Sequence, residues 1–392
     1  MATTSGTEQE ARERASTGQR VGDRNQELTR RRWLVGAAAA GLAANRLGAL
    51  AAAQPTDVSW LADAQRRPDP LPGNILKLAP IVDDRGEAIT SLEPWRQRRG
   101  TLRKEWLDVL GPLASRRIPV PVLKTLAEDR VEGVVRRLVS YEIEPGVTTE
   151  AFILEPGQDR GPRAGVAVFH STVDASIRQP AGVEGAPEKA FGLRLAKRGC
   201  TTICPRNFLW PDNHHISANE ETRTFQGRHP DSLGMAKMLY DAIVAVDILL
   251  SLPRVDPKRI GAVGHSLGAK EVLYLAAFDE RVRVTVSSEG GIGLPFTNWD
   301  APWYLGPQVK SGSFGREHHQ LLALAAPRPF LLVGGGSADG DPSWPFIEAA
   351  LPIYRLYGEP PRLALFNHRQ GHAVPPIAEQ RIDEWLSTYL ER

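Results

Sequence analysis

The chain has 392 residues, 42% of them hydrophobic, enough for one large α/β domain with an appendage and a sizeable buried core. Forty-eight Lys and Arg against 46 Asp and Glu leave a formal net charge of +2. No basic stripe or charge run stands out, so composition gives no reason to expect nucleic acid or an anionic membrane surface as partner, and a small molecule is the expected one.

Taken in chain order, residues 1–28 are polar and charged. Thr29-Arg30-Arg31-Arg32-Trp33-Leu34 then leads into an Ala-rich apolar stretch ending in Ala51-Ala52-Ala53. This resembles a bacterial twin-arginine export signal with cleavage before Gln54, and its apolar run, broken at Asn45-Arg46, is too short to span a membrane. Residues 1–53 are therefore set aside from the fold. The resemblance implies a periplasmic or secreted protein with no membrane attachment after cleavage. Residues 54–133 form an N-terminal extension with an irregular proline-rich lead-in and a helix over Glu93 to Leu113, burying Trp95, Trp106, Leu107 and Leu110.

Residues 134–392 carry the main domain. Arg136 to Ile143 alternates, Pro145-Gly146 turns and Thr148 to Leu154 returns, which predicts an antiparallel hairpin. Ala164 to Phe169 is a near-continuous apolar strand, Ala186 to Arg198 a helix and Cys200 to Pro205 the next strand. Cys200 and Cys204 are too far apart along a strand to bridge, and both read as packing thiols. Residues 206–232 are expected to be a long polar loop bearing aromatic residues. Gly234 to Leu250 is the clearest helix, with Met235, Met238, Leu239, Ala242, Val246 and Leu249 on one face. Strands follow at Val282 to Ser288, Pro329 to Gly334 and Arg362 to Asn367. The final helix carries Ile382, Trp385, Leu386 and Tyr389. The expected fold class is α/β, a doubly wound, mostly parallel sheet with an antiparallel N-terminal hairpin.

One stretch organises the rest. Arg259-Ile260-Gly261-Ala262-Val263-Gly264-His265-Ser266-Leu267-Gly268 runs an apolar strand into Gly-x-Ser-x-Gly, and a helical pattern follows with Ala269, Val272, Leu273 and Ala276 on one face. At such a turn strand and helix pass so closely that Gly264 and Gly268 must lack side chains, and Ser266 is lifted clear of the sheet. The N–H of Leu267 then sits at a helix N-terminus, where it meets an oxyanion. A second donor is expected from Ser171 or Thr172, beyond the strand ending at Phe169. Serine needs a base, and His372 is preferred to His368 because Gly371 lets its loop bend toward the turn. The orienting acid is expected to be Asp339, with Asp341 and Glu289 as alternatives, each just past a strand end. The pairs His214-His215 and His318-His319 lack a carboxylate at ligand spacing, so neither metal nor cofactor is expected.

With these residues in order, 134–390 resembles the α/β-hydrolase superfamily, and within it the dienelactone-hydrolase-like and acetyl-xylan-esterase-like bacterial branch. Phrases such as Val255-Asp256-Pro257-Lys258-Arg259-Ile260 and Phe278-Asp279-Glu280-Arg281-Val282 carry the likeness. Lys270 and Glu289-Gly290-Gly291 also resemble glucuronoyl esterases, in which an acid stands where Glu289 does, although Leu267 replaces that family's arginine. Ser266 in place of the cysteine of dienelactone hydrolases argues against dienelactone chemistry. The resemblance implies a serine esterase acting on a small or carbohydrate-linked ester, with Phe208, Trp210, Phe225, Phe296, Trp299, Trp303 and Tyr304 as pocket or loop-pinning aromatics. Two rival expectations stand beside it: a serine peptidase of the oligopeptidase type, for which the extension is too short to form a propeller, and a catalytically silent relative used for binding.

Overall fold

A computed structural model describes residues 57–391 except 74, 159–160 and 211–216. The export segment and His214-His215 lie outside the described residues. In chain order the elements are α1 (Leu61–Ala64), α2 (Leu92–Leu110), β1 (Lys124–Val131), β2 (Val134–Glu144), β3 (Val147–Pro156), β4 (Arg163–Phe169), α3 (Phe191–Lys197), β5 (Thr201–Pro205), α4 (Ala218–Arg228), α5 (Gly234–Ser251), β6 (Val255–His265), α6 (Leu267–Phe278), β7 (Val282–Ser288), α7 (His319–Ala325), β8 (Phe330–Gly334), α8 (Trp344–Arg355), β9 (Leu363–Asn367) and α9 (Pro376–Leu390).

The described strands make one nine-stranded sheet in the order β1-β2-β3-β5-β4-β6-β7-β8-β9. The first three strands and the β3–β5 pair are antiparallel, and every pair from β5 to β9 is parallel. Apolar runs in the central strands follow from cover on both faces. Val166 and Val168 of β4, Val263 of β6 and Val284 and Val286 of β7 join the core under α1, α3 and α9. Their neighbours Ala167, Phe169, Ala262 and Val282 join the core under α2 and α5 to α8. From β4 the chain moves outward to β5 and then crosses back to β6 on the other flank. That reversal makes the carboxyl ends of β4 and β6 the topological switch point, the place at which ligands bind in open α/β sheets.

Three elements depart from the sequence reading. The sheet begins at Lys124, because β1 is an edge strand whose side chains are almost all exposed and which therefore carries no alternation. The span 206–232 contains α4, a helix that buries only Thr222 and Phe225 and so shows no apolar stripe. Helix α6 is buried on every side rather than on one face. Cys200 and Cys204 are both free thiols. The N-terminal helix α2 is tied to the main body: Arg103 donates to the carbonyls of Ala277 and Phe278 (3.2 and 2.8 Å) at the carboxyl end of α6. Its Trp106 packs edge-on against Tyr274 and stacks on His318. Among the described residues no helix is long and apolar enough to cross a membrane.

Candidate active site

The turn from β6 to α6 carries the strain that its sequence implies. Ser266 has φ +60° and ψ −116°, a conformation that costs a non-glycine residue about 1–3 kcal/mol. A Cβ on Gly264 would lie 2.2 Å from the carbonyl of Gly268, and one on Gly268 would lie 2.3 Å from the carbonyl oxygen of Phe169. Any side chain at either glycine would open the turn. The ladder continues one residue past β6, with Ser266 N–H donating to Ser288 O at 2.8 Å. Leu267 opens α6, so its N–H is among the helix N-terminal donors that have no intrahelical acceptor.

The segment after β4 lies beside this turn. Phe169 pairs with Gly264, and Ser171 Oγ donates to the carbonyl of His265 (3.4 Å). Ser171 is buried and Thr172 exposed. His170 is buried and its ring faces inward, donating from Nδ1 to Ser171 O (2.8 Å) while Nε2 accepts the N–H of Asn207 (3.1 Å). A peptide N–H can only donate, so Nε2 is the bare nitrogen and Nδ1 bears the hydrogen. Burial lowers the His170 pKa to about 4, against the opposing hydrogen bond to Ser171, and the ring is neutral at pH 7.

Adjacent strand ends supply the histidine and its carboxylate. His265 pairs with Ser288, so the next residues of the two strands, Ser266 and Glu289, emerge side by side. Glu289 also has positive φ, +55°, and is 1% exposed. Its Oε2 is 3.0 Å from His372 Nδ1, across 83 residues of sequence. The N–H of Ala338 donates to Oε2 at 2.8 Å, and the N–H of Gly335 donates to Oε1. Burial pushes the Glu289 pKa up, but the His372 contact and the two peptide donors outweigh it and leave the net value below the ordinary one. The His372 ring lies 4.7 Å, centroid to centroid, from that of His265, the residue before Ser266. Gly371 has φ +68°, and its N–H donates to Gly335 O at 2.8 Å, which ties the histidine loop to the loop after β8.

This geometry corrects the preference for Asp339 as the carboxylate beside His372. Both Asp339 oxygens face the loop after β7: they accept N–H bonds from Gly291 (2.7 Å) and Ile292 (2.8 Å), and Ser343 Oγ donates at 2.9 Å. Burial raises its pKa, partly offset by those donors. Asp341 accepts from Asn367 Nδ2 (2.8 Å) and pairs with Arg369 (2.9 Å) instead. His368 is held by its own loop, its Nδ1 accepting from Gln370 N–H at 3.1 Å.

Of the aromatic residues, Trp210, Phe225, Trp299 and Tyr304 are buried, which fits loop pinning, whereas Phe208, Phe296 and Trp303 are half-buried. Trp299 Nε1 donates to Gly291 O at 2.7 Å. Lys270 is buried in the same aromatic group, with Nζ 2.5 Å from Thr297 Oγ1 and 3.8 Å from the centre of the Trp299 ring. Burial lowers its pKa to about 7, with Asp339 acting in the other direction. His318 spends both nitrogens on Ile292 O and Tyr274 Oη, and among the described residues no three metal-binding side chains gather. The sequence reading missed Asn207 and Glu271, whose side chains meet at 3.0 Å next to His170. Nothing in the pattern marks an asparagine in an irregular stretch.

Residues 243–298 match the family model described as BAAT / Acyl-CoA thioester hydrolase C terminal, a span from α5 through the serine turn to the segment after Glu289. A protein of Bacillus subtilis (strain 168) named as a hydrolase, YtaP, is 28% identical over 247 residues, covering 60% of this chain and 80% of that protein. The carbohydrate esterase MZ0003, from an unknown prokaryotic organism, is 27% identical over 200 residues, 45% of this chain and 45% of that protein, so this match spans under half its length. Among solved structures, a glucuronoyl esterase from Solibacter usitatus has a TM-score of 0.62 at 15% identity, covering 81% of this chain and 99% of that one. The fold is that of the α/β hydrolases, with esterases among its neighbours.

Proposed function

We propose that the protein is a serine carboxylic-ester hydrolase, acting through an acyl-enzyme on a small or carbohydrate-linked ester. The observation that carries this reading is the His372–Glu289 hydrogen bond of 3.0 Å beside a strained Ser266. In the proposed cycle Ser266 Oγ attacks the ester carbonyl and passes its proton to Nε2 of His372, while Glu289 accepts the hydrogen bond from Nδ1–H and stabilises the imidazolium. The N–H of Leu267 and a second N–H from the Ser171–Thr172 segment receive the developing oxyanion. His372 returns the proton to the departing alcohol, and water, deprotonated by the same ring, releases the acid.

The carbohydrate-esterase names among the similar proteins and the proposed export route, which falls outside the described residues, together support an ester on a carbohydrate. Purified protein is expected to hydrolyse short-chain p-nitrophenyl esters and to take up a fluorophosphonate at Ser266. Ser266→Ala is expected to abolish both, with a fall in kcat on the order of 10⁴-fold or more. Turnover that survives in Ser266→Ala, or wild-type protein with neither turnover nor label, overturns the reading.

A further inference from the structure

Asn207 is 3% exposed and spends every polar group it faces inward with. Its backbone N–H donates to His170 Nε2 (3.1 Å), its Nδ2 donates to Glu271 Oε1 (3.0 Å), and its Oδ1 accepts the N–H of Leu209 (3.0 Å). One residue thereby joins the segment after β4, the segment after β5 and the helix that begins at the serine turn. The next anchor is Trp210, whose N–H donates to Asn207 O (3.0 Å), whose Nε1 donates to Val173 O (3.0 Å) and whose ring meets the His170 ring edge-on at 4.7 Å.

The receiving end of this chain is a single peptide group. Ser171 O accepts two hydrogen bonds, from His170 Nδ1 (2.8 Å) and from Val173 N–H (2.9 Å). In a trans peptide the C=O and the N–H of the following residue point in opposite directions. With the Ser171 carbonyl pinned toward the buried histidine, the Thr172 N–H is turned the other way, and Thr172 is itself exposed. The segment itself borders the serine turn, because Phe169 pairs with Gly264 and Ser171 Oγ reaches His265 O.

We propose that Asn207 and Glu271 are positioning residues that, through His170, aim the Thr172 N–H at the oxyanion, so that Thr172 rather than Ser171 supplies the second donor. This rests on the esterase reading above. Glu271 belongs to the proposal by its placement: it projects from α6 five residues after Ser266, fully buried, where an unpaired acid is costly. Burial raises its pKa to about 8, opposed by the Asn207 hydrogen bond and assisted by Asp241 of α5. The protonated acid is thus the form present at neutral pH, and glutamine is its neutral isostere.

The test measures kcat and KM for p-nitrophenyl acetate, and the Ki of a trifluoromethyl ketone whose serine hemiketal carries an oxyanion, in Asn207→Ala, Glu271→Leu and Glu271→Gln. Losing the aim of one donor is expected to lower kcat by about 10- to 100-fold in the first two variants, with KM within about two-fold of wild type and Ki raised in step with the fall in kcat. Glu271→Gln is expected to stay within about three-fold of wild type on both readouts. Should Asn207→Ala fail to fold, the Leu and Gln pair at 271 makes the same comparison. Wild-type kcat and Ki in the folded Asn207→Ala or Glu271→Leu protein overturn the positioning role, as does a change confined to KM. A wild-type protein that neither turns over esters nor reacts with a fluorophosphonate overturns the esterase reading first, and the two failures are told apart at that control.

Discussion

The loops after β7 and β8 are built as a reciprocal clasp. Glu289, on the first, takes peptide hydrogens from Gly335 and Ala338 on the second; Asp339, on the second, takes them from Gly291 and Ile292 on the first. Both carboxylates are buried, follow parallel strands and neighbour glycines. They differ in what remains once the clasp is made. Glu289 Oε2 also meets His372, whereas Asp339 Oδ1 meets Ser343. Two acids in near-equivalent sequence settings are thereby given different work, and the deciding factor is which strand lies beside β6. β7 is its direct neighbour and β8 is one strand further out.

The sharpest way to break this comparison is Glu289→Gln. Under the proposed mechanism the amide presents the wrong partner to His372 Nδ1–H, and kcat is expected to fall on the order of 10³- to 10⁴-fold with far-UV circular dichroism unchanged. A loss below ten-fold, with a larger one in Asp339→Asn, would hand the orienting role back to Asp339.

Next in size is Gly335→Ala. Its added Cβ would lie 1.8 Å from Gly371 O, so the β8 loop and the histidine loop must part. A fall in kcat of about 10- to 100-fold is expected, since small displacements of a reacting group are enough for that. The thermal midpoint reports the accompanying strain.

Asp339→Asn is expected to be the mildest for chemistry, under about ten-fold in kcat, and to register in stability instead. The two peptide hydrogens go to different oxygens of Asp339, one of which the amide replaces with an NH2 donor, and a hydrogen left unsatisfied in a buried site costs about 1–3 kcal/mol. The pH dependence separates the two acids by sign. Glu289 has a depressed pKa, so its contribution is fully present above the unfolded-state value and is lost as pH falls through the folded one. Asp339 has a raised pKa, so stability falls as pH rises from the unfolded-state value toward the folded one. Urea denaturation between pH 3 and 7 is therefore expected to show the Glu289→Gln deficit shrinking as the solution is acidified and the Asp339→Asn deficit growing.

Much of this was legible before any coordinates. The serine turn is local: its requirement for two bare α-carbons is written within five residues, and Gly264 and Gly268 stand at contact with backbone. Strand β4 was legible because a strand covered on both faces is near-continuously apolar, and β7 because Val282, Val284, Thr285 and Val286 make a β-branched run. His372 stood out in the sequence through Gly371, whose φ of +68° bends the loop before it. Helix α4 and strand β1 were hidden because exposed elements bury too little to leave a period. Asn207 was hidden because its role consists of contacts with residues 37 and 64 positions away.

Sequence by itself therefore determined the parallel sheet, the bend at Ser266 and the short list of acids. Only the tertiary structure showed which of those acids stands against His372. Hydrophobic period reports which face of an element is buried, and it carries no information on which strand end becomes the neighbour of which. That choice was made by the crossing of the chain from β5 back to β6 and by the register of β6 on β7, which set Glu289 next to Ser266 and left Asp339 to hold the loop that carries it.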